Sequence, residues 1–315
     1  MPAFLGPNRY GKAECRLVRV TRDGDRHELV DLNVSTSLSG ELGRTHLTGD
    51  NTDVLPTDTQ KNTVYAFARR YGVASIEEFG LRLAEHFVTE QPMIHQAEVR
   101  LEQYPWQRVG DHSFARSEGE VRSATVTWSA AAGATVTGGL RGLTLLNTTD
   151  SEFWGFTKDR YTTLAPTTDR ILATAVDASW ELNPAVDAGR WNPLFAEVRQ
   201  ALVDAFVETY SYSLQQTLFA MGQTVLAAVP EVRQVRLALP NRHHFLVDLA
   251  PFGLDNPDQV YFPADRPYGL IEGTVLRDDP AAQIGPGPTA SGVGPGPAAE
   301  PIGPGPSVSP DGAGS

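Results

Sequence analysis

The same order of local patterns, two strands, two helices and two strands, occurs twice in this 315-residue chain. In the first copy, Asp23-Gly24 predicts a hairpin turn, because Gly accepts the backbone angles of a tight turn at no steric cost. Ser75 followed by Glu78 is typical of a capping box at a helix start. The apolar residues that alternate or recur at helical spacing around these signals are Val30, Leu32, Val34, Phe79, Leu83, Phe87, Val99, Leu101, Ala124, Val126 and Trp128.

The second copy shows the same signals in the same order. Leu140 to Leu146 and Ile171 to Trp180 predict strands. Asn192-Pro193 predicts a helix start, with Asn as the cap and Pro in the first turn. The apolar residues of two helices and a further strand follow: Phe195, Val198, Leu202, Phe206, Leu214, Leu218, Met221, Val225, Val235, Leu237 and Leu239.

Two copies of ββααββ predict an α+β fold in which antiparallel sheets carry helices on one face. We expect one unit over residues 1–135 and the second over residues 136–279. Open sheets leave unpaired edges, which closure or oligomerisation must cover. From residue 280 to 315 the repeats IGPGP and VGPGP predict a disordered tail that takes no part in the fold.

Composition excludes several classes of function. The net charge of −12, from 38 acidic and 26 basic residues, provides no basic surface for nucleic acid or an anionic membrane. Cys15 is the only cysteine, so we expect no intrachain disulfide and no thiolate cluster for a metal. The first residues lack the apolar segment of a signal peptide, and no apolar run reaches the roughly 18 residues of a membrane span. We therefore expect a soluble, unsecreted protein in a reducing compartment.

The stretch NRHHF contains two adjacent histidines, His243 and His244. If the segment is extended, the two side chains point to opposite faces and cannot bind one metal ion together. The other histidines form no HxH or HExxH pattern, so the sequence predicts no metal site. A single imidazole that accepts or donates a proton near neutral pH is one interpretation, and a structural histidine is the other.

Two further stretches combine polar residues with a predicted helix or strand start. In LPTDTQKNT, Asp58 or Thr59 is expected to cap a helix, while the free N–H groups of that helix start and the Thr57 hydroxyl could bind an anionic or carbonyl-rich ligand. In NRYGK, Lys12 precedes the first strand. It is either a solvated charge or, if desolvated, a group of lowered pKa that can act as a base.

Two stretches in the second half have the chemistry to hold a flat heteroaromatic ligand. Phe153 belongs to an aromatic run that is typical of a core, yet its ring could stack on such a ligand. Arg170 either forms a surface ion pair with Asp169 or presents a planar fork of donors. Gln215, in SYSLQQTL, offers an amide donor and acceptor side by side, which match the edge of a purine.

These stretches together resemble the urate oxidase (uricase) family. The motifs YGK, TDTQKNT, FWGF, DR, SLQ and NRHHF occur in the family's order between Tyr10 and Thr274. The resemblance implies the tunnelling fold (T-fold), with two tandem ββααββ units in each chain. It also implies oxidation of urate by O2 and water to 5-hydroxyisourate and hydrogen peroxide, with no metal and no organic cofactor.

The resemblance assigns roles to the matching positions. Lys12, Thr57 and His243 correspond to a proton relay, and Asn241, together with Thr57, corresponds to the residue that holds O2 or water above the ring. The remaining implied substrate contacts are a bidentate pair from Arg170, an amide pair from Gln215, stacking on Phe153, the N–H of Leu214, and Thr57 and Asp58 from a neighbouring subunit.

Assembly and location are also implied by the resemblance. The family forms homotetramers whose barrels are completed between subunits, with active sites at the interfaces. The chain ends in DGAGS rather than a peroxisomal tripeptide, which favours a bacterial cytoplasmic enzyme. Two alternatives stay open: a catalytically silent purine-binding T-fold module, and a zinc-dependent T-fold enzyme, against which the missing Cys and His ligands count.

Overall fold

One antiparallel sheet of eight strands organises the protein, in the order β1-β2-β3-β6-β7-β8-β9-β12. The computed structural model describes residues 3–182, 186–264 and 266–278. The strands are β1 (Tyr10–Asp23), β2 (Arg26–Gly40), β3 (Ile94–Gln103), β4 (Trp106–Arg108), β5 (Phe114–Arg116), β6 (Val121–Ser129), β7 (Gly133–Asn147), β8 (Leu172–Leu182), β9 (Val232–Asn241), β10 (His244–Leu246), β11 (Tyr261–Pro263) and β12 (Gly269–Leu276). The helices are α1 (Gly43–Thr48), α2 (Thr57–Tyr71), α3 (Ile76–Thr89), α4 (Trp191–Glu208) and α5 (Leu214–Ala228).

The predicted α+β class and the repeated ββααββ order are confirmed. The hairpin at Asp23-Gly24 joins β1 to β2, with Gly24 at a φ of 66°. The short helix α1 and the two small hairpins β4-β5 and β10-β11 are additions that the sequence patterns do not predict.

One face of the sheet is apolar and carries the helices. Leu32 and Val34 of β2 and Leu237 and Leu239 of β9 are fully buried there. Helix α3 adds side chains such as Phe87, and burying a side chain of this size contributes about 1.5–3 kcal/mol. The alternation that predicts the strands therefore identifies the face on which the core lies.

Helix α5 lies unusually close to the last strand because glycines remove side chains from the contact. A Cβ atom on Gly222 of α5 would lie 2.5 Å from Val275, and one on Gly273 of β12 would lie 2.8 Å from Leu218. Each glycine thus receives a branched side chain from the opposite element. This close packing sets the height of α5, and with it the position of its N-terminus, over the sheet.

Two predicted helix caps are wrong. Helix α4 begins at Trp191, and the Asn192 side chain instead donates to the Ala74 carbonyl and accepts from Arg122. Helix α2 begins at Thr57 after Pro56, with no side-chain cap, because the Asp58 carboxylate is held by Lys61 and Asn62. In both cases the polar side chain forms hydrogen bonds with residues other than the N–H groups of the helix start, so it does not cap the helix.

The proposed unit boundaries stay predictions. Residues 135 and 136 lie inside β7, which pairs with β6 on one side and β8 on the other. The residues up to Arg277 cluster into one compact unit. The predicted tail, residues 280–315, lies outside the described residues.

Candidate active site

The first group of predicted site residues lies where β1 and α2 begin. The Tyr10 hydroxyl accepts a hydrogen bond from the Leu55 N–H at 3.0 Å. The buried Thr36 hydroxyl donates to Gln60 Oε1 at 2.8 Å and accepts from the Lys12 N–H at 3.3 Å. These bonds connect the start of β1 to α2 through two independent points, so the backbone of Lys12 is fixed relative to the helix start.

A β-bulge determines which way Lys12 faces. Lys12 pairs with Thr36 and Cys15 pairs with Val34, so Ala13 and Glu14 together oppose a single residue, Ser35. Glu14 has a φ of 57°, and its N–H donates to Ser35 Oγ at 3.0 Å. Because side chains alternate along a strand, the extra residue keeps Lys12 on the helix-bearing face together with buried Cys15.

Thr57 and Asp58 form the first turn of α2 beside this lysine. Thr57 is half-buried, and the N–H groups of the first turn have no partner within the helix. The hydrogen bond and charge of Lys61, with a smaller contribution from Lys12, hold the pKa of Asp58 below its ordinary value. The structure therefore brings Lys12, Thr57 and Asp58 together.

The second group is built on the irregular segment between β7 and β8. Phe153 and Thr167 exchange backbone hydrogen bonds of 2.8 and 3.0 Å, which close a loop. Arg170 donates from Nε to the Ser151 hydroxyl at 3.2 Å, and its guanidinium carbon lies 5.3 Å from the Phe153 ring centroid. The ring and the guanidinium are thus held side by side.

The start of α5 is attached to the same segment. Ser151 and Ser211 form a parallel bridge, in which the Glu152 N–H donates to the Ser211 carbonyl at 2.9 Å and the Ser211 N–H donates to the Asp150 carbonyl at 2.9 Å. Asp150 adopts a φ of 59°, a strained conformation for a residue other than glycine. Strain of this kind collects at sites where the surrounding structure requires one geometry.

The first turn of α5 presents backbone and side-chain donors together. Ser213 accepts from the Gln216 N–H at 3.2 Å, and the Gln216 side chain accepts from the Tyr212 N–H at 2.8 Å. This cap leaves the N–H groups of Leu214 and Gln215 free of helical partners. The Gln215 side chain is exposed at the same end of the helix.

Asn241 and His243 reach this site from the end of β9. Asn241 is the last residue of the strand, and the Arg242 N–H donates to the Ala173 carbonyl at 2.8 Å. The His243 carbonyl accepts from Ala264 at 2.9 Å, and the His243 ring lies 5.9 Å from that of Phe245, two residues further on. Rings two residues apart share a face, as the extended interpretation of NRHHF predicts.

The electrostatics of this second group suit an anion. Burial lowers the pKa of the half-buried Arg170, and no carboxylate in the described part of the chain lies within ion-pair distance of it. Burial also lowers the pKa of His243, with further contributions from the Arg170 cation and from His244. The lowered pKa favours the neutral imidazole, the form that can accept a proton, and among the described residues no carboxylate pairs with the neighbouring Arg170 cation.

The two groups lie at opposite ends of the sheet. Six strand spacings separate β1 from β9, a path of roughly 29 Å along the sheet at about 4.8 Å per strand. Among the described residues no hydrogen bond or ion pair joins the two groups. Within a single chain, five intervening strands therefore separate the strand that carries Lys12 from the strand that leads to His243.

Neither a metal cluster nor a membrane-spanning helix occurs within residues 3–182, 186–264 and 266–278. In these ranges no three His, Cys, Asp or Glu side chains are grouped to hold a metal ion. The helices described there are too short or too polar to cross a bilayer.

The repeated ββααββ order and the eight-stranded antiparallel sheet with helices on one face define a T-fold protein. The model of the uricase family matches residues 8–127 and 136–272, and the chain belongs to this family. A uricase of Arthrobacter globiformis is 51% identical over 277 residues, which cover 87% of this chain and 90% of that relative. A uricase of Dictyostelium discoideum is 39% identical, with coverage of 87% and 98%. The crystal structure of the Arthrobacter globiformis uricase superposes with a TM-score of 0.86 at 48% identity and covers 91% of this chain and 99% of that one.

Some residues that shape the site carry no signal in the sequence. Ser151 is fully buried beneath Arg170, and Ser211 accepts a hydrogen bond from Thr217 at 2.8 Å. Serines and threonines of this kind look like ordinary turn and cap residues. Their role depends on partners far away in the chain, so only the structure reveals it.

Proposed function

We propose that the chain is a urate oxidase, which converts urate, O2 and water to 5-hydroxyisourate and hydrogen peroxide. The single observation that carries the proposal is the half-buried Arg170, which has no carboxylate partner among the described residues, beside Phe153 and a histidine of lowered pKa, His243, in a chain of the uricase family. A planar purine anion needs a cation, a ring and an amide edge. Arg170, Phe153 and Gln215 supply one each.

In the proposed reaction urate loses two electrons and O2 gains them to become peroxide. The oxygen of water becomes the new hydroxyl group of the product, and two protons leave with the peroxide. Triplet O2 reacts slowly with ordinary singlet molecules, so the protein must first remove a proton from urate and hold the electron-rich anion. The relay of Lys12, Thr57 and His243 performs the proton transfers. Donors fixed in advance around the anion stabilise the developing charge.

The roles of the other residues follow the same chemistry. Arg170 and Gln215 bind the six-membered ring, and the N–H of Leu214 at the start of α5 adds a donor. Thr57 and Asp58 reach the five-membered ring, and Asn241 with Thr57 holds O2 or water above it. No resident metal or organic cofactor is part of this proposal.

Because Lys12 and Thr57 lie at the opposite end of the sheet from His243, the proposed site requires two chains. The open edge strands β1 and β12 offer unpaired backbone groups for such an assembly. We propose a homotetramer whose barrels are completed between subunits, in the cytoplasm of a bacterium.

Steady-state kinetics of three variants test the assignment of roles. Lys12→Ala and Thr57→Ala should lower kcat by about 100-fold or more with little change in KM for urate, since they remove proton transfer. Arg170→Ala should raise KM first, because it removes the cation that binds urate. Equal, small effects in all three variants would refute these roles.

A further inference from the structure

Thr174 of β8 buries a hydroxyl group that has no hydrogen-bond partner in the described part of the chain. Its side chain is fully buried, and Oγ1 is inaccessible to solvent. The other five buried serines and threonines, Thr36, Ser75, Ser151, Ser211 and Thr217, each have a partner. An orphaned buried hydroxyl is destabilising, so its presence requires an explanation.

The pairing of the strands shows which polar group lies beside it. Thr174 pairs with Leu145 of β7 on one side and with Asn241 of β9 on the other. Directly paired residues share a face of the sheet, and their Cβ atoms lie about 4.5–5.5 Å apart. Since Leu145 is apolar, Asn241 is the only polar side chain next to Thr174 in this row across the sheet.

The remaining neighbour in the row leaves Asn241 room to turn. Asn241 pairs with Gly269 of β12, which has no side chain, and a Cβ atom placed there would lie 4.0 Å from the Asn241 Cβ. Asn241 is itself half-buried and ends its strand. On its other side Asn241 is paired directly with Thr174, at the Cβ spacing that lets an amide and a hydroxyl form a cross-strand hydrogen bond.

We propose that Thr174 is a positioning residue for Asn241: its hydroxyl donates to Asn241 Oδ1 when the site is occupied. Because the amide oxygen is then engaged, the Nδ2 hydrogens must point away from Thr174, toward the O2 or water above the urate ring. This inference rests on the proposed function, in which Asn241 holds that oxygen species. It gives the buried Thr174 hydroxyl a hydrogen-bond partner.

Thr174→Val separates positioning from structure because valine has nearly the same shape and no hydroxyl. Removing an unsatisfied buried hydroxyl should leave Tm unchanged or raise it. The loss of one orienting hydrogen bond should lower kcat by about tenfold and raise the KM for O2, with the KM for urate within about twofold of the parent. Activity would then fall without a loss of thermal stability.

Two further variants serve as controls. Thr174→Ser keeps the hydroxyl and loses a buried methyl group, so Tm should fall while kcat stays near that of the parent. Ser75→Ala removes a buried hydroxyl that does have a partner, because it accepts a hydrogen bond from the Glu78 N–H at 3.2 Å. Ser75 is far along the chain from Thr174 and Asn241. This variant should lower Tm and leave kcat and both KM values unchanged.

Three outcomes decide the matter. Thr174→Val with the kcat and the KM for O2 of the parent would overturn the inference. A loss of kcat accompanied by a lower Tm, and shared by Thr174→Ser, would also overturn it, since that pattern reports damaged packing. A parent protein that does not oxidise urate would refute the proposed function itself, whereas an active parent with an equally active Thr174→Val refutes only the role of Thr174.

Discussion

Mixing two impaired variants should restore activity at low urate concentration, because each site of the proposed assembly takes one group of residues from each of two chains. Lys12→Ala damages the group at β1 and α2, and Arg170→Ala damages the group at β8 and α5. Each variant alone contains no intact site. In a mixed pair, one site combines the unaltered Lys12 group of the Arg170→Ala chain with the unaltered Arg170 group of the Lys12→Ala chain. Both groups of that site are intact.

The expected recovery follows from the symmetry of the interface. Two chains related by a two-fold axis form two equivalent sites. Random assembly of an equal mixture makes about half of the pairs mixed, and one of the two sites in each mixed pair is intact. About a quarter of the parent activity should therefore return.

The assay is co-expression of the two variants with different affinity tags, followed by purification of mixed assemblies on both tags in turn. Because that purification keeps only assemblies that contain both variants, the recovered activity per site should lie between about 0.3 of the parent value, for random pairing within a tetramer, and about half, if every pair is mixed. A mixture of two Lys12→Ala chains with different tags is the control and should stay inactive. Activity in the mixed assembly no higher than in the single variants would show that each site is built within one chain.

Three further predictions test individual contacts. The pKa of His243 is lowered in the folded protein, so turnover should fall as the pH drops through this folded-state pKa. Folding stability should fall as the pH drops below about 6.5, the pKa of histidine in the unfolded chain, because the unfolded state then binds more protons. Measurements of kcat and Tm between pH 5 and 8 check both expectations. Arg122→Ala leaves the buried Glu77 without its partner at 2.7 Å and should reduce the free energy of unfolding by about 3–5 kcal/mol in urea titrations, whereas a reduction below about 1 kcal/mol would contradict this. Ser151→Ala removes the acceptor of Arg170 Nε and should raise the KM for urate about fivefold in initial-rate assays, with kcat changed less.

Much of the fold is predictable because its signals are local. The alternation of Val235, Leu237 and Leu239 marks the inward face of β9, and all three residues are fully buried. The sequence patterns do not predict the last strand, β12, because one of its inward-facing residues is Gly273. The side chain of Leu218 fills the space that a side chain at this position would occupy. The alternating pattern that predicts a strand fails where an inward position is a glycine and a side chain from a neighbouring helix fills its space.

The sequence motifs propose members of the site, but they do not predict how those residues are arranged. The motifs name Lys12 and His243, yet no local pattern shows that they lie at opposite ends of one sheet. The cap expected at Asn192 is wrong because Arg122, 70 positions away in the chain, binds its side chain. The orphaned hydroxyl of Thr174 has the same cause: its environment is set by strands that are distant in sequence.

The stoichiometry of the reaction tests the central claim most directly. Purified protein is treated with a chelator and mixed with urate in air-saturated buffer, while urate absorbance, O2 uptake and peroxide release are recorded together. A urate oxidase that needs no added metal should consume one O2 and release one peroxide for each urate lost. Urate binding without O2 uptake, or turnover that returns only when metal is added, would contradict the account.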